Sequence, residues 1–320
     1  MKTIHTSIAA GALLLVAACG NEADTLSDAR ETINTADTLQ STSEITLDFQ
    51  APEGVDESDP TNSISGMLDV ANDVSMSLDL KSDNVNKQHE MTVGVNIASG
   101  DAANMSFDVP LFMDEASESV YIPAQTAADF AGMLMMPIEL PAEHADKVID
   151  LSDTGDAVDL DLAPEEEGNN LESLTPLEAN EIMQGYLDQL PEDTLVVDGD
   201  TYTQTFNGNS FIEYMMKELQ SREYITAEDL ESFKDEVSNS ISIGDVVVTS
   251  KVVDGNITSD VVALPITALT DGEPNGTLTV NVATDYTAIN EDIEFNMNVS
   301  EDNVLSPEEL ESIMQYPVEY

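Results

Sequence analysis

The stretch VSMSLDLKSDNVNKQHEMTVGVNI, residues 74–97, decides the fold class. Its apolar side chains fall on every second position: Val74, Met76, Leu78 and Leu80, then Met91, Val93, Val95 and Ile97. Ser, Thr, Asp and Asn fill most positions between them. A period of two places successive side chains on opposite faces of a strand, so each strand has one dry and one wet face. Antiparallel meanders have this pattern, whereas buried parallel strands are apolar on both sides.

The alternation extends in both directions. Upstream stand Ile45, Leu47 and Phe49, then an acidic Pro/Gly loop (APEGVDESDPTN, residues 51–62), then Ile64, Leu68 and Val70. Downstream stand Met105, Phe107, Val109 and Leu111, and later Val158, Leu160 and Leu162. The last third repeats the plan, with strands expected at Leu195 to Val197, Tyr202 to Phe206, Ile241 and Ile243, Val246 and Val248, Val261 to Ile266, and Leu278, Val280 and Val282. A final strand is expected over Ile293, Phe295, Met297 and Val299, and turn signals stand at Asp254-Gly255 and residues 271–276.

Helical spacing interrupts the strands. Residues 25–40 carry Leu26, Ala29, Ile33, Ala36 and Leu39 on one stripe, and residues 124–140 run as a short helix into Pro137 and Pro141. Thr175, Pro176 and Glu178 form a cap signature for a helix to about Leu190, with Ile182, Met183, Tyr186 and Leu190 inward. Further helices are expected from about Ser210 (Phe211, Met215, Leu219) and from Thr226 (Leu230, Phe233, Val237), and Ser306-Pro307-Glu308-Glu309 repeats the cap for a closing one. Helix followed by meander occurs twice. The class is therefore α+β, with residues 25–320 as one domain or as two halves split near 163–175.

Lys and Arg total 9 against 64 Asp and Glu, a formal charge of −55. Such a surface repels phosphate backbones, which excludes nucleic acid as a partner. Self-repulsion on this scale is relieved by screening, whose length falls to about 3 Å near 1 M salt, so a salt-rich setting is expected. The single cysteine, Cys19, leaves no disulfide, Cys-zinc site or thiol nucleophile for the fold.

Cys19 has another use. Residues 1–19, MKTIHTSIAAGALLLVAAC, place Lys2 before a short apolar run, Ile8 to Leu15, and end in Val16-Ala17-Ala18-Cys19. That is the pattern of a bacterial lipoprotein signal: small side chains precede a cysteine that takes a diacylglyceryl group and becomes the mature N-terminus. The apolar run is shorter than the roughly 20 residues of a membrane span. Residues 1–18 are read as signal, residues 19–24 as a tether whose residues 20–24 span at most roughly 18 Å, and the address as the outer face of the cell membrane, with acyl chains contributing about 0.8 kcal/mol per buried CH₂ against charge repulsion.

The lipobox, the helix running into STSEITLDF, the segment SFDVPLFMDEASESVYIP, and the block EPNGTLTVNVATDYTAINEDIEFNMNV followed by SPEEL together resemble the Gram-positive cell-envelope lipoproteins of the LolA/LppX-like type. The resemblance implies a strongly curved antiparallel sheet, a half-barrel packed over helices, with an apolar interior that accepts lipid.

Catalysis has little to stand on. His5 is in the signal, and His89 and His144 stand in polar surroundings where solvation is the ordinary outcome. No nucleophile elbow, phosphate loop or HExxH helix is present, and Trp is absent, which disfavours a carbohydrate cleft. The expectation is a protein without enzymatic activity or cofactor. The segment NVSEDNVLSPEE, residues 298–309, loosely follows a calcium loop, but Asn303 replaces the turn glycine and a capping box explains the same residues. For a hydrophobic ligand the candidates are Phe130, Met133, Leu134, Met135 and Met136, because flexible, polarizable methionine suits variable acyl chains. Core packing is the competing reading, and soft thioethers near His144 would also suit Cu(I). The expected function is binding or carriage of a lipid-like molecule at the membrane. A closed interaction module of the cell surface, or a divalent-cation-dependent surface protein, are the alternatives.

Overall fold

The structure is a computed structural model that describes residues 21–51, 74–97, 105–117, 119–133, 140–152, 182, 185–187, 189–191, 194–222, 224–228, 230–231, 240–270, 273–300, 302–306, 309 and 313. Helix α1 (Asn21–Asn34) leads into β1 (Thr38–Gln50), β2 (Val74–Asp83), β3 (Gln88–Ile97), β4 (Met105–Asp114) and β5 (Ser119–Pro123). Helix α2 (Ala124–Met133), a 3-10 turn (Ala142–His144) and β6 (Val148–Asp150) follow. The second half holds β7 (Leu195–Asp198), β8 (Thr201–Asn207), α3 (Gly208–Ser221), β9 (Ile241–Ile243), β10 (Asp245–Val253), β11 (Asn256–Thr270) and β12 (Glu273–Ile289).

These strands form one open antiparallel sheet in the order β6-β5-β4-β3-β2-β1-β12-β11-β10-β8-β7, with β9 on β11. Each half runs outward from a central seam where β1 pairs β12, Ile45 opposite Val282 and Leu47 opposite Val280. The fold is α+β, as the change of period implied.

Register carries the alternation across the whole sheet. Phe107, Val95, Met76, Ile45, Val282, Val262 and Val248 are successive cross-strand partners on the dry face. Helices α1 and α3 cover that face in the second half. From α3, Phe211, Ile212, Met216 and Leu219 pack on Phe206, Val246, Val248, Val262 and Leu264. The side chain of Asn207 caps α3 by accepting the Ser210 N–H at 2.9 Å, so the helix starts at Gly208, two residues before the expected Ser210. From α1, Leu26 and Ala29 pack on Tyr202, Val252 and Ile257.

Two further expectations are corrected, and two short strands were not expected. Helix α1 spans 21–34 and not 25–40: it takes in part of the expected tether, and Leu39 already lies in β1 opposite Ile289. Residues 291–300 alternate like a strand but join no ladder, because β12 already pairs β1 on one side and β11 on the other. They cross the wet face of the first half as a strap, with Phe295 edge-on to Phe112 at 5.3 Å between ring centroids. Strands β5 and β6, only 5 and 3 residues long, were too short to register as alternation. The closing cap at Ser306 is present: the Ser306 N–H donates to Glu309 Oε2 at 2.8 Å, and the Glu309 N–H donates to Ser306 Oγ at 3.3 Å. Residues 64–70, 158–162 and most of 175–190 lie outside the described residues.

Candidate functional site

Two places on the sheet gather chemistry, one on each face. On the dry face the first half differs from the second. Val74, Met76, Leu78 and Leu80 of β2, Met91, Val93 and Val95 of β3, and Phe107, Val109 and Leu111 of β4 are half-buried, where their counterparts Val246, Val248 and Val282 are fully buried. Met105 is 53% exposed. The dry face is thus continuous in register, and among the described helices α1 and α3 close it in the second half.

A polar row interrupts this face at the seam. One rung inward from the aliphatic row, Leu78 is followed by Ser43, Thr284, Asp260 and Ser250 in register. Ser43 and Thr284 share a 2.8 Å hydroxyl hydrogen bond. Arg30 of α1 is 1% exposed, and its Nη2 donates to Ser250 Oγ at 2.5 Å. Ser250 bonds in turn to the Asp260 carboxylate, and the Tyr286 hydroxyl donates to Asp260 Oδ2 at 3.0 Å. Burial lowers the Arg30 guanidinium to about 10 against the pull of Asp260, and raises Asp260 against the pull of Arg30. Burial and the neighbouring carboxylate push the Tyr286 phenol up. Among the described residues, Arg30 Nε and Nη1 and Asp260 Oδ1 have no hydrogen-bond partner. Sequence reading missed this cluster: Arg30 stands four residues after Leu26, an apolar-stripe position, and its partners lie about 220 residues away.

On the wet face a cleft of about 450 Å³ lies between β3–β6 and the strap. Thr92, Pro110, Pro123 and Val148 form its floor, residues 145–147 one wall, and Asn296, Met297, Asn298 and Asn303 the cover. Two prolines explain the gap. The β4–β5 ladder runs from Asp114 opposite Ser119 to Phe112 opposite Tyr121, and the same register sets Pro110 opposite Pro123. The Ala124 N–H donates to the Lys147 carbonyl, so Ala124 faces β6, Pro123 faces β4, and antiparallel geometry turns Pro110 toward it. Neither has an N–H, so the ladder stops and the two carbonyls face the gap without a donor.

Charges hold the cover down. Glu90, 4% exposed, accepts the Met297 N–H at 2.6 Å and lies 3.6 Å from Lys81 Nζ. Lys81 also donates to the Glu294 carbonyl at 2.5 Å and to Asn296 Oδ1 at 3.1 Å. Lys147 donates to Glu309 Oε1 at 2.7 Å, and this bond, with those from Ser306, draws the Glu309 carboxyl down to about 2. Edge strand β6 is closed by the same segment through a parallel bridge, Val148 N–H to the Asn303 carbonyl and Leu305 N–H to the Val148 carbonyl.

Of the ligand candidates, Phe130 lies on α2 and is 46% exposed. Met133 ends α2 with its side chain outside the described residues, as are Leu134, Met135, Met136 and Cys19. His89 sits in β3 rather than a loop: Nδ1 pairs with Ser82 Oγ at 2.7 Å and Nε2 with Glu115 at 3.1 Å. In the calcium-like loop, Asn303 Oδ1 accepts the Ser300 N–H and Glu309 is committed to Lys147 and Ser306. Among the described residues no group of three metal-ligating side chains comes together, and no helix is long and apolar enough to cross a membrane.

No protein family matches the chain, and no curated protein matches it. Among solved structures, one described as dehydratase substrate selection for the borrelidin and fluvirucin polyketide synthases is 9% identical, over 80% of this chain and 76% of that one, at a TM-score of 0.14. The 12:0-ACP thioesterase from Umbellularia californica is 10% identical over 81% and 79%, also at 0.14. A conserved protein of unknown function with a hot dog fold from Alicyclobacillus acidocaldarius is 10% identical over 79% and 80%, at 0.11. At such scores these likenesses carry no argument about this chain.

Proposed function

We propose that the chain is a lipoprotein anchored through Cys19 at the outer face of the cell membrane, and that it binds a hydrophobic, lipid-like molecule without catalysing a reaction. The observation that carries the reading is the half-buried dry face of β2–β4, where Met76, Leu78, Val93 and Val109 continue in register the rows that α1 and α3 bury in the second half. Ten aliphatic, methionine and phenylalanine side chains left half-covered in an otherwise very acidic chain favour an apolar occupant. A curved, half-barrel form of the sheet, wrapped around that occupant, belongs to the same proposal. The lipobox residues Val16 to Cys19 would hold the binding face near its source of ligand.

The test is mass spectrometry of the full chain extracted from its own membranes in mild detergent. A lipid retained in stoichiometric amount, and lost from a Val93→Asp variant of unchanged circular dichroism, is the expected result. A protein that is empty on extraction and stays empty after incubation with envelope lipids overturns the reading in favour of a closed interaction module.

A further inference from the structure

We infer that the wet-face cleft under the strap is a binding site for a small organic cation bearing a primary amine. The inference is independent of the dry face, because the cleft lies on the opposite side of the sheet. Three features of the lining converge on an ammonium group. First, the cleft is rich in acceptors: the opposed prolines Pro110 and Pro123 turn two carbonyls into the gap with no backbone donor between them. Second, two carboxylates line it. Glu90 is 4% exposed and is held by the Met297 N–H and by Lys81 at 3.6 Å, while Asp146 has neither hydrogen bond nor ion pair among the described residues and is the carboxylate left for a ligand. Third, Lys147, the one cation among the described lining residues, is held by Glu309 at 2.7 Å.

Size and donor arrangement exclude the simpler occupant. A bare divalent ion needs several oxygens converging at about 2.3–2.6 Å. The described residues gather no such group, and about 450 Å³ is the space of an organic molecule. The floor supplies the rest: Pro110, Pro123 and Val148 offer apolar contact to a short methylene chain, with the exposed Asp146 carboxylate at the rim. An ammonium has three donors and no acceptor, which matches the two proline carbonyls and the Asp146 carboxylate. The amine has two sources, a free diamine or the ethanolamine head of a lipid.

The experiment is calorimetric titration of the full chain with putrescine, and with butanediol as the neutral counterpart of the same length, in about 0.5 M NaCl to screen diffuse charge. Putrescine is expected to bind and butanediol not. Asp146→Asn, an exposed position that leaves the fold intact, is expected to weaken binding at least about tenfold, as loss of one charge-assisted contact does. Glu90→Gln is expected to act in the same direction, and Asp48→Asn, on an exposed site of β1 away from the cleft, to leave binding unchanged. Failure of putrescine to bind, equal binding of butanediol, or equal weakening by Asp48→Asn overturns the site. Flotation with phosphatidylethanolamine and phosphatidylcholine vesicles separates the sources. Loss of selective flotation in Asp146→Asn places the amine on the lipid, and flotation insensitive to Asp146 alongside weakened putrescine binding places it on the free molecule; both sustain the site.

Discussion

Arg30 Nη2 and Ser250 Oγ, 220 residues apart in the chain, meet at 2.5 Å beneath helix α1. Through Ser250 the guanidinium reaches Asp260, so a helix near the start of the chain is fastened to the sheet by a pair of charges that are both buried. Removing one partner strands the other. Arg30→Met should cost about 3–5 kcal/mol in urea unfolding, while Arg30→Met with Asp260→Leu should recover most of the loss. The single variant also has a pH signature. Its Asp260 is raised further above 3.8, so stability is retained below that value and lost as pH rises through the folded-state value, and the deficit against wild type should shrink in acid.

Glu309 titrates in the opposite sense. Its carboxyl is drawn from 4.5 to about 2, first by Lys147 and then by Ser306, so the stability it contributes is complete above pH 4.5 and is lost as pH falls toward 2. Comparing thermal stability of wild type and Glu309→Gln across that window isolates the effect. The gap should be widest at neutral pH and close in acid.

Gly208 opens α3 where its N–H donates to the Gly244 carbonyl at 3.0 Å. A Cβ there would lie 2.6 Å from that same oxygen and against Ile243, neither of which can turn aside as an exposed side chain would. Gly208→Ala should therefore destabilise by about 1–3 kcal/mol, read as a lower urea midpoint, although alanine favours helix.

Phe295 anchors the strap through its perpendicular contact with Phe112. Phe295→Ala should cost at least about 0.5–1.5 kcal/mol for the lost ring pair. Amide exchange should accelerate at the Met297 N–H, which Glu90 holds, before it changes in β2 or β3.

A chain of charge −55 should melt at higher temperature in about 1 M NaCl than in dilute buffer. Calorimetry across a salt series checks this, and the rise should exceed that of a variant with several exposed carboxylates neutralised.

The long strands were legible because alternation and register say the same thing: Met76, Val95 and Phe107 alternate in sequence and then align across three strands. What escaped was set by distant partners. Phe295 and Met297 alternate like strand residues, yet β12 had no free side, so the segment met the aromatic Phe112 and the buried Glu90 instead. Arg30 reads as a polar helix position until Ser250 and Asp260 are brought beneath it. Pro110 and Pro123 were visible as residues, but their opposition depends on the register of Phe112 with Tyr121, which is outside the reach of local pattern.

The seam between β1 and β12 joins strands more than 200 residues apart, and it carries the order in which the molecule must assemble. The meander β1 to β5 is made of neighbours in sequence and forms early, but β1 keeps one edge unpaired until the chain has delivered β12. Closing so long a loop is slow, since loop entropy is paid before any distant contact returns it. During synthesis the growing chain therefore carries an open β edge beside a dry face, a species prone to pair with another copy. Dense like charge is a means of keeping such half-built chains apart until the last long strand arrives.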